Sequence, residues 1–320
     1  MAIDHLRAHS RDVISGDATI GDPWGGTNLS HAGSPAGQPA GQPASQGNSH
    51  TSVAAHAALF DGVATRLGLP TTELPLDATR QTPARRAFFA WFDTWLGIQA
   101  VSGADTLDLG CGRGEVSVQL ALLGAIVTGI DVSRESLARA ETLARKHGVA
   151  GRVSLASGNT EALSFDDDSF DLAICTGLIS FVDFGRTAAE LSRVKRRDGT
   201  VVIMDTLGHN PIARMGRKRR LVHGQTTHFQ VENIMTCDHI DRLRAHFGSV
   251  DVHTFDLLTL PMVIIENCVG RIHPRLRHVL APVSAGFRAL DRFVLKCCPL
   301  RRYAFRTVIA LKWPRGHERG

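Results

Sequence analysis

The sequence predicts an α/β fold: a doubly wound parallel sheet with helices ahead of it and helical additions behind it. Three observations carry that expectation. From Asp105 onward, apolar runs of strand length alternate with stretches of helical spacing, the pattern of a parallel sheet covered on both faces. Three glycines, Gly110, Gly112 and Gly114, follow the first such run directly. An acid, Asp131, closes the second.

The elements follow in order. Residues 1–51 read as a disordered low-complexity arm. Within it, "HAGSPAGQPAGQPASQGNSH" (31–50) repeats Ala-Gly-Gln-Pro and contains no large apolar side chain, so nothing offsets the entropy of ordering it. Residues 52–100 form an N-terminal helical segment: "SVAAHAALFDGVATRLGL" has helical spacing, and "PARRAFFAWFDTWLGIQA" has Pro83 near its start and clusters Phe88, Phe89, Trp91, Phe92 and Trp95, aromatics suited to core or lid packing. In the core, 101–205, strands are expected at 105–109, 125–130, 153–157, 170–175 and 199–205, with helices at 115–123, 133–147 and 184–194. Gly148 stands where a helix-ending glycine belongs, and Asp198-Gly199 is expected to turn the chain into the fifth strand. Residues 206–320 supply segments that cover a substrate, together with the last strands. "PIARMGRKRRLV" reads as a helix with Asn210 as N-cap and Pro211 at its first position. A helix at 238–247, a strand at 250–255, a largely helical 275–297 and a final strand "FRTVIALKW" complete the chain.

Composition narrows the class. The chain of 320 residues is 43% hydrophobic and 21% charged, ordinary for a globular protein. It has no run of 18 or more apolar residues, and its first residues carry acids where a signal peptide needs an apolar stretch, so a cytoplasmic location is expected. The cysteines, Cys111, Cys175, Cys237, Cys268, Cys297 and Cys298, make no C-x-x-C pair, which argues against both a disulfide framework and a metal site. Charge is uneven. From residue 206 on there are 19 Lys+Arg against 8 Asp+Glu, and before it 17 against 23. A basic final third fits an anionic substrate, an anionic membrane surface, nucleic acid or a merely solvated face.

The glycine turn is read by elimination. No Lys-Ser or Lys-Thr follows it, which excludes a phosphate-binding P-loop. The dinucleotide pattern Gly-x-Gly-x-x-Gly/Ala would need a small residue where Glu115 stands. Asp108, two residues ahead of Gly110, would repel a pyrophosphate but attract an ammonium group. Asp131 sits where an acid in such folds accepts hydrogen bonds from a ribose. A ligand with a ribose, an α-amino group and no phosphate is S-adenosylmethionine.

The segments "LDLGCGRG", "GIDVS" and "GNTEALSFDDDSFDLAICTGL" resemble, in order and spacing, the motifs of class I S-adenosylmethionine-dependent methyltransferases. The similarity is greatest to the small-molecule branch around ubiquinone and menaquinone biosynthesis, and it covers roughly Asp105 to Asp205. The resemblance implies a Rossmann-like methyltransferase sheet and S-adenosyl-L-methionine as cofactor. It implies cofactor contacts at Asp108, Gly110, Cys111, Gly112 and Gly114, with Asp108 and Gly110 facing the methionine part and Gly112 and Gly114 permitting close backbone approach. Asp131 would bind the ribose, Val132 would lie beside the adenine, Asn159 and Thr160 at its edge, and Thr176 and Gly177 at the methionine end. Many relatives have Asp where this chain has Asn159; an amide carbonyl still accepts a hydrogen bond from the adenine amino group. Ile179, Ser180 and Phe181 stand where the family often places histidines, so that base is absent.

A hydroxyl or acidic carbon acceptor needs a proton removed. Candidates past the fifth strand are Asp205, His209, His223, His228 and His239. His209, beside a helix N-cap, is set ahead as a site residue, although it equally suits a structural cap partner; His223 and His228 would belong to a lid. The expected activity is methyl transfer to O or C of a small molecule of lipid, isoprenoid, polyketide or glycan type, anionic or lipid-like acceptors being compatible with "RMGRKRR" (214–220). Peripheral membrane contact is compatible with the apolar and basic C-terminal segment. Two alternatives stand beside it. A nucleic-acid methyltransferase is disfavoured, because "CTGLIS" lacks the motifs of base-modifying enzymes. A non-catalytic cofactor-binding protein is the other.

Overall fold

The structure is a computed structural model that describes residues 57–58, 60–61, 101–223, 226, 228–262, 264–265, 276–297 and 299–312. The expected arm of residues 1–51 and the aromatic helix of 83–100 lie outside them. Of the expected 52–70 helix, residues 57, 58, 60 and 61 are described, and they are helical.

Seven strands form one sheet: β1 (Asp105–Leu109), β2 (Ile126–Asp131), β3 (Val153–Ser157), β4 (Phe170–Thr176), β5 (Lys195–Thr206), β6 (Ser249–Phe255) and β7 (Arg306–Lys312). Their order is β3-β2-β1-β4-β5-β7-β6. β1 to β5 are parallel, and β7 runs antiparallel between β5 and β6. The chain leaves β1 toward β2 on one side and returns to β4 on the other. The switch point between β1 and β4 therefore opens a crevice at the carboxyl ends of the strands.

The helices are α1 (Glu115–Leu122), α2 (Arg134–Lys146), α3 (Phe184–Val194), α4 (Pro211–Val222), α5 (His228–Glu232), α6 (Cys237–His246) and α7 (Leu276–Cys297). Alternation along the strands divides the core in two. Leu107, Leu109, Ala173, Cys175, Val201 and Ile203 pack with Ala188 and Leu191 of α3 and Leu243 of α6. Leu172, Ile174, Val202 and Met204 pack on the opposite face with Val118 of α1 and Leu143 of α2. Three of the helices, α2, α3 and α4, begin where a side chain takes an orphan backbone donor. Ser133 accepts from Ser136 N at 3.0 Å, Asp183 from Arg186 N at 3.0 Å, and Asn210 from Ala213 N at 3.0 Å with Pro211 behind it. Gly148, at φ 70°, follows α2 as expected.

Two expectations need correction. Asp198-Gly199 does not precede the fifth strand: β5 begins at Lys195, which lies opposite Phe170, and regular pairing resumes at Leu172 opposite Thr200. The intervening residues bulge out, and the fully buried Lys195 ammonium is satisfied by that bulge, donating to the carbonyls of Arg196 (2.6 Å) and Arg197 (3.1 Å). A buried ammonium without such acceptors would be costly. The segment expected to be a lid around His223 and His228 also contains a short helix, α5, that periodicity did not announce.

Candidate functional site

Four strands deliver their carboxyl ends to one edge, and a solvent-open cleft lies there. Eight of the residues singled out above line it: Gly110, Gly112, Asp131, Val132, Asn159, Thr160, Thr176 and Gly177. Phe60, Ser136, Glu161, Leu178, Phe181 and Val182 line it too. Sequence patterns missed these six because each lies beside a motif or far from it along the chain. The helical spacing around Phe60 marked an apolar face without saying what that face covers. Phe60 meets the Phe181 ring edge-on at 4.9 Å, and its neighbour Asp61 accepts from Ser133 Oγ (2.5 Å) and Glu135 N (3.2 Å) at the start of α2.

The turn after β1 is left-handed at each glycine, with φ of 72°, 53° and 79° at Gly110, Gly112 and Gly114, a region that favours glycine. Their surroundings differ. Gly112 faces open space, whereas a Cβ on Gly114 would stand 2.6 Å from Ala140 Cβ of α2. Gly114 thus serves the close packing of α1 on α2, where close approach to a ligand was expected, and it does not line the cleft. Cys111 is buried beside the turn, with Sγ 3.0 Å from where a Cβ on Gly129 would lie.

Asp131 holds the turn from the neighbouring strand. Its Oδ2 accepts from Gly112 N at 2.8 Å and its Oδ1 from Ser133 N at 2.9 Å. Burial raises its pKa against the opposing pull of the Ser133, Gly112 and Val132 amides. An ionised carboxylate has about four acceptor positions; among the described residues Gly112 N and Ser133 N take two of them, and Asp131 lines the cleft. Asp108 lies behind the turn at 1% exposure and outside the lining, where Oδ2 accepts from Ser117 Oγ at 2.5 Å. Desolvation pushes its carboxyl up to about 7, countered by the Ser117 hydrogen bond and reinforced by the Asp131 charge. Asn159 folds back so that Oδ1 accepts from Glu161 N at 3.0 Å, which takes one lone pair of the carbonyl expected at the adenine edge. Thr176 Oγ1 is buried and has no hydrogen-bond partner among the described residues.

The expected bases lie elsewhere. His209 Nε2 accepts from Cys237 N, at the start of α6, at 3.4 Å. His223 ends α4 and His228 begins α5, both exposed. His239 Nδ1 caps Thr236, 3.2 Å from its N and 2.8 Å from its Oγ1, and its ring meets Phe184 edge-on. None of the four lines the cleft. Asp205 is buried at the end of β5; burial raises its pKa, while Thr206 N (2.6 Å) and Ile179 N (3.0 Å) donate to it. It fixes the turn Ile179–Phe181, whose other side is held by Asn233 Nδ2 donating to Ile179 O (3.0 Å) and Val182 O (2.6 Å). In the basic run, Arg217 turns inward to Thr206 Oγ1 (2.7 Å), while Arg214, Lys218, Arg219 and Arg220 are exposed.

Residues 107–203 match the family model described as a methyltransferase domain. The demethylmenaquinone methyltransferase of Mycolicibacterium gilvum is 35% identical over 150 residues, 47% of this chain and 59% of that protein. The ubiquinone biosynthesis O-methyltransferase of Bordetella pertussis is 30% identical over 161 residues, 49% of this chain and 62% of that protein. The chain thus spans about three fifths of the length of each of these two relatives. Among solved structures, the phosphoethanolamine N-methyltransferase 2 of Haemonchus contortus in complex with S-adenosyl-L-methionine overlays with a TM-score of 0.48 at 18% identity, covering 67% of this chain and 49% of that one. The sheet, glycine turn and strand-end acid described above thus fall in or beside the segment, residues 107–203, that is similar to a methyltransferase domain.

Proposed function

We propose that the chain transfers a methyl group from S-adenosyl-L-methionine to an O or C atom of a small molecule held over the cleft. The observation that carries this reading is Asp131: a carboxylate lining the cleft, braced by the glycine turn, with acceptor positions left for two vicinal hydroxyls. The other residues present fit the same cofactor. Gly112 leaves open space for backbone approach, and Thr176 Oγ1, without a partner among the described residues, offers a hydrogen bond at the methionine end. Asp108, held near its titration point behind the turn, gains its charge when an ammonium comes close.

The cofactor supplies a methyl group already electrophilic on a sulfonium. What the protein adds is position, which can supply roughly 7–11 kcal/mol of a barrier. Asp131 and the turn set the cofactor's depth. Phe60, Leu178 and Phe181 wall the cleft with apolar surface that excludes water from the reacting atoms. Asp205 and Asn233 act one step back as positioning residues, since they hold the turn that carries Phe181. The two relatives compared above are named for demethylmenaquinone and for ubiquinone biosynthesis, which supports an acceptor of lipid or isoprenoid type.

Calorimetry with S-adenosyl-L-methionine and its demethylated product tests the proposal, together with methyl transfer from labelled cofactor into lipid and aqueous extracts counted separately. Binding that Asp131→Ala weakens at least a hundredfold is expected. Wild-type affinity in that variant would overturn the ribose assignment.

A further inference from the structure

α7 lies away from the cleft lining, and its exposed side is apolar. Ser284, Asp291 and Leu295 are buried, while Val283, Phe287, Leu290 and Phe293 are 47%, 39%, 48% and 68% exposed. Positions 283, 287 and 290 share one helical face, and Phe293 continues beside it. A helix that packs on a core with one face normally turns polar residues outward on the other. Contiguous exposed apolar surface marks a docking site.

Charge selects the occupant. Between residues 276 and 306 the chain has seven Lys and Arg and a single acid, Asp291. That acid points inward, accepting from Leu258 N (2.7 Å), Thr259 N (2.9 Å) and the Thr259 hydroxyl. Solvent therefore meets apolar side chains flanked by the exposed cations Arg292, Lys296 and Arg302. A second copy of this chain would bring the same cations against them. An anionic bilayer offers hydrocarbon to the one set and phosphate to the other.

We propose that α7 docks on an anionic membrane surface, with Val283, Phe287, Leu290 and Phe293 at the headgroup boundary and Arg292, Lys296 and Arg302 on lipid phosphates. None of the described helices is long and apolar enough to cross a membrane, so the helix lies along the surface. Its end leads through Pro299–Tyr303 into β7, whose first residue, Arg306, pairs with Thr206 and Phe255 at the carboxyl ends of β5 and β6. Docking thus sets the sheet edge that holds the cleft next to the bilayer. The proposal stands apart from methyl transfer.

Flotation of the full chain with vesicles tests it, comparing pure phosphatidylcholine with phosphatidylcholine containing phosphatidylglycerol. At least tenfold tighter binding to the anionic vesicles is expected, reversed by high salt. Phe287→Glu with Phe293→Glu should lower it at least tenfold, and Arg292→Gln with Lys296→Gln should remove most of the preference for anionic lipid, with cofactor affinity and thermal unfolding unchanged in both. Equal binding to both vesicle types, no binding, or a lipid-free dimer that the Phe variants dissociate would each overturn the proposal.

Discussion

Replacing Asp108 by Asn should make the protein more stable at alkaline pH while weakening its hold on the cofactor. The carboxyl is 1% exposed, and its pKa moves from the ordinary 3.8 to about 7, chiefly through desolvation. Because the folded state holds this proton more tightly than the unfolded chain, the contribution to stability is present below pH 3.8. It is lost progressively as pH rises toward 7 and stays lost above. A displacement of about three pH units at about 1.36 kcal/mol each gives a ceiling of roughly 4 kcal/mol. Asn fills the same space without titrating, and its carbonyl can still accept from Ser117 Oγ. Whatever packing penalty its amide brings is the same at every pH, so the informative quantity is the change in the variant's advantage between about pH 5 and about pH 8. At about 2–4 °C per kcal/mol for a domain of this size, thermal unfolding should show that advantage growing by several degrees across the interval. Calorimetry in buffers of different ionisation enthalpy supplies the second half: near neutral pH the wild type should release a proton on binding S-adenosyl-L-methionine, and the Asn variant should release less and bind more weakly. An advantage that is the same at both pH values, together with binding heat indifferent to buffer, would refute both the buried titration and the ammonium assignment.

Other perturbations follow from the same geometry. Gly114→Ala forces a side chain into left-handed backbone and against Ala140, and chemical denaturation should show a loss of about 2–4 kcal/mol. Adding Ala140→Gly should restore part of it. Asn233→Ala removes both donors that hold the Ile179–Phe181 turn; a loss of about 1–3 kcal/mol is expected, with a raised KM for the acceptor and unchanged cofactor affinity by calorimetry. His209→Ala removes an acceptor from the first N–H of α6, so unfolding should register about 0.5–2 kcal/mol. Cofactor binding should remain at the wild-type level.

The strands and helices of the core were legible because parallel strands buried on two faces are written as short apolar runs, and amphipathic helices as runs of longer period. Gly110, Gly112 and Asp131 were legible for another reason: local backbone conformation and strand-end position dictate those residue types, and both are properties of a few consecutive residues. The sequence by itself therefore determined the doubly wound sheet, the left-handed turn and the acid that faces the cleft.

Tertiary structure alone decided which residues meet. Nothing local to Gly114 says that Ala140 lies against it, and nothing local to Asp108 says that Ser117 and the core shut it off from water. Phe60 reaches Phe181 across about 120 residues of chain. The turn that carries Phe181 is held by Asp205 and Asn233, from separate parts of the chain. Histidines near the site in sequence were drawn instead to the unsatisfied backbone at the start of α6, because a helix N-terminus offers donors to whichever acceptor lies within reach. Burial and partnership are sums over distant segments, which periodicity and spacing do not record.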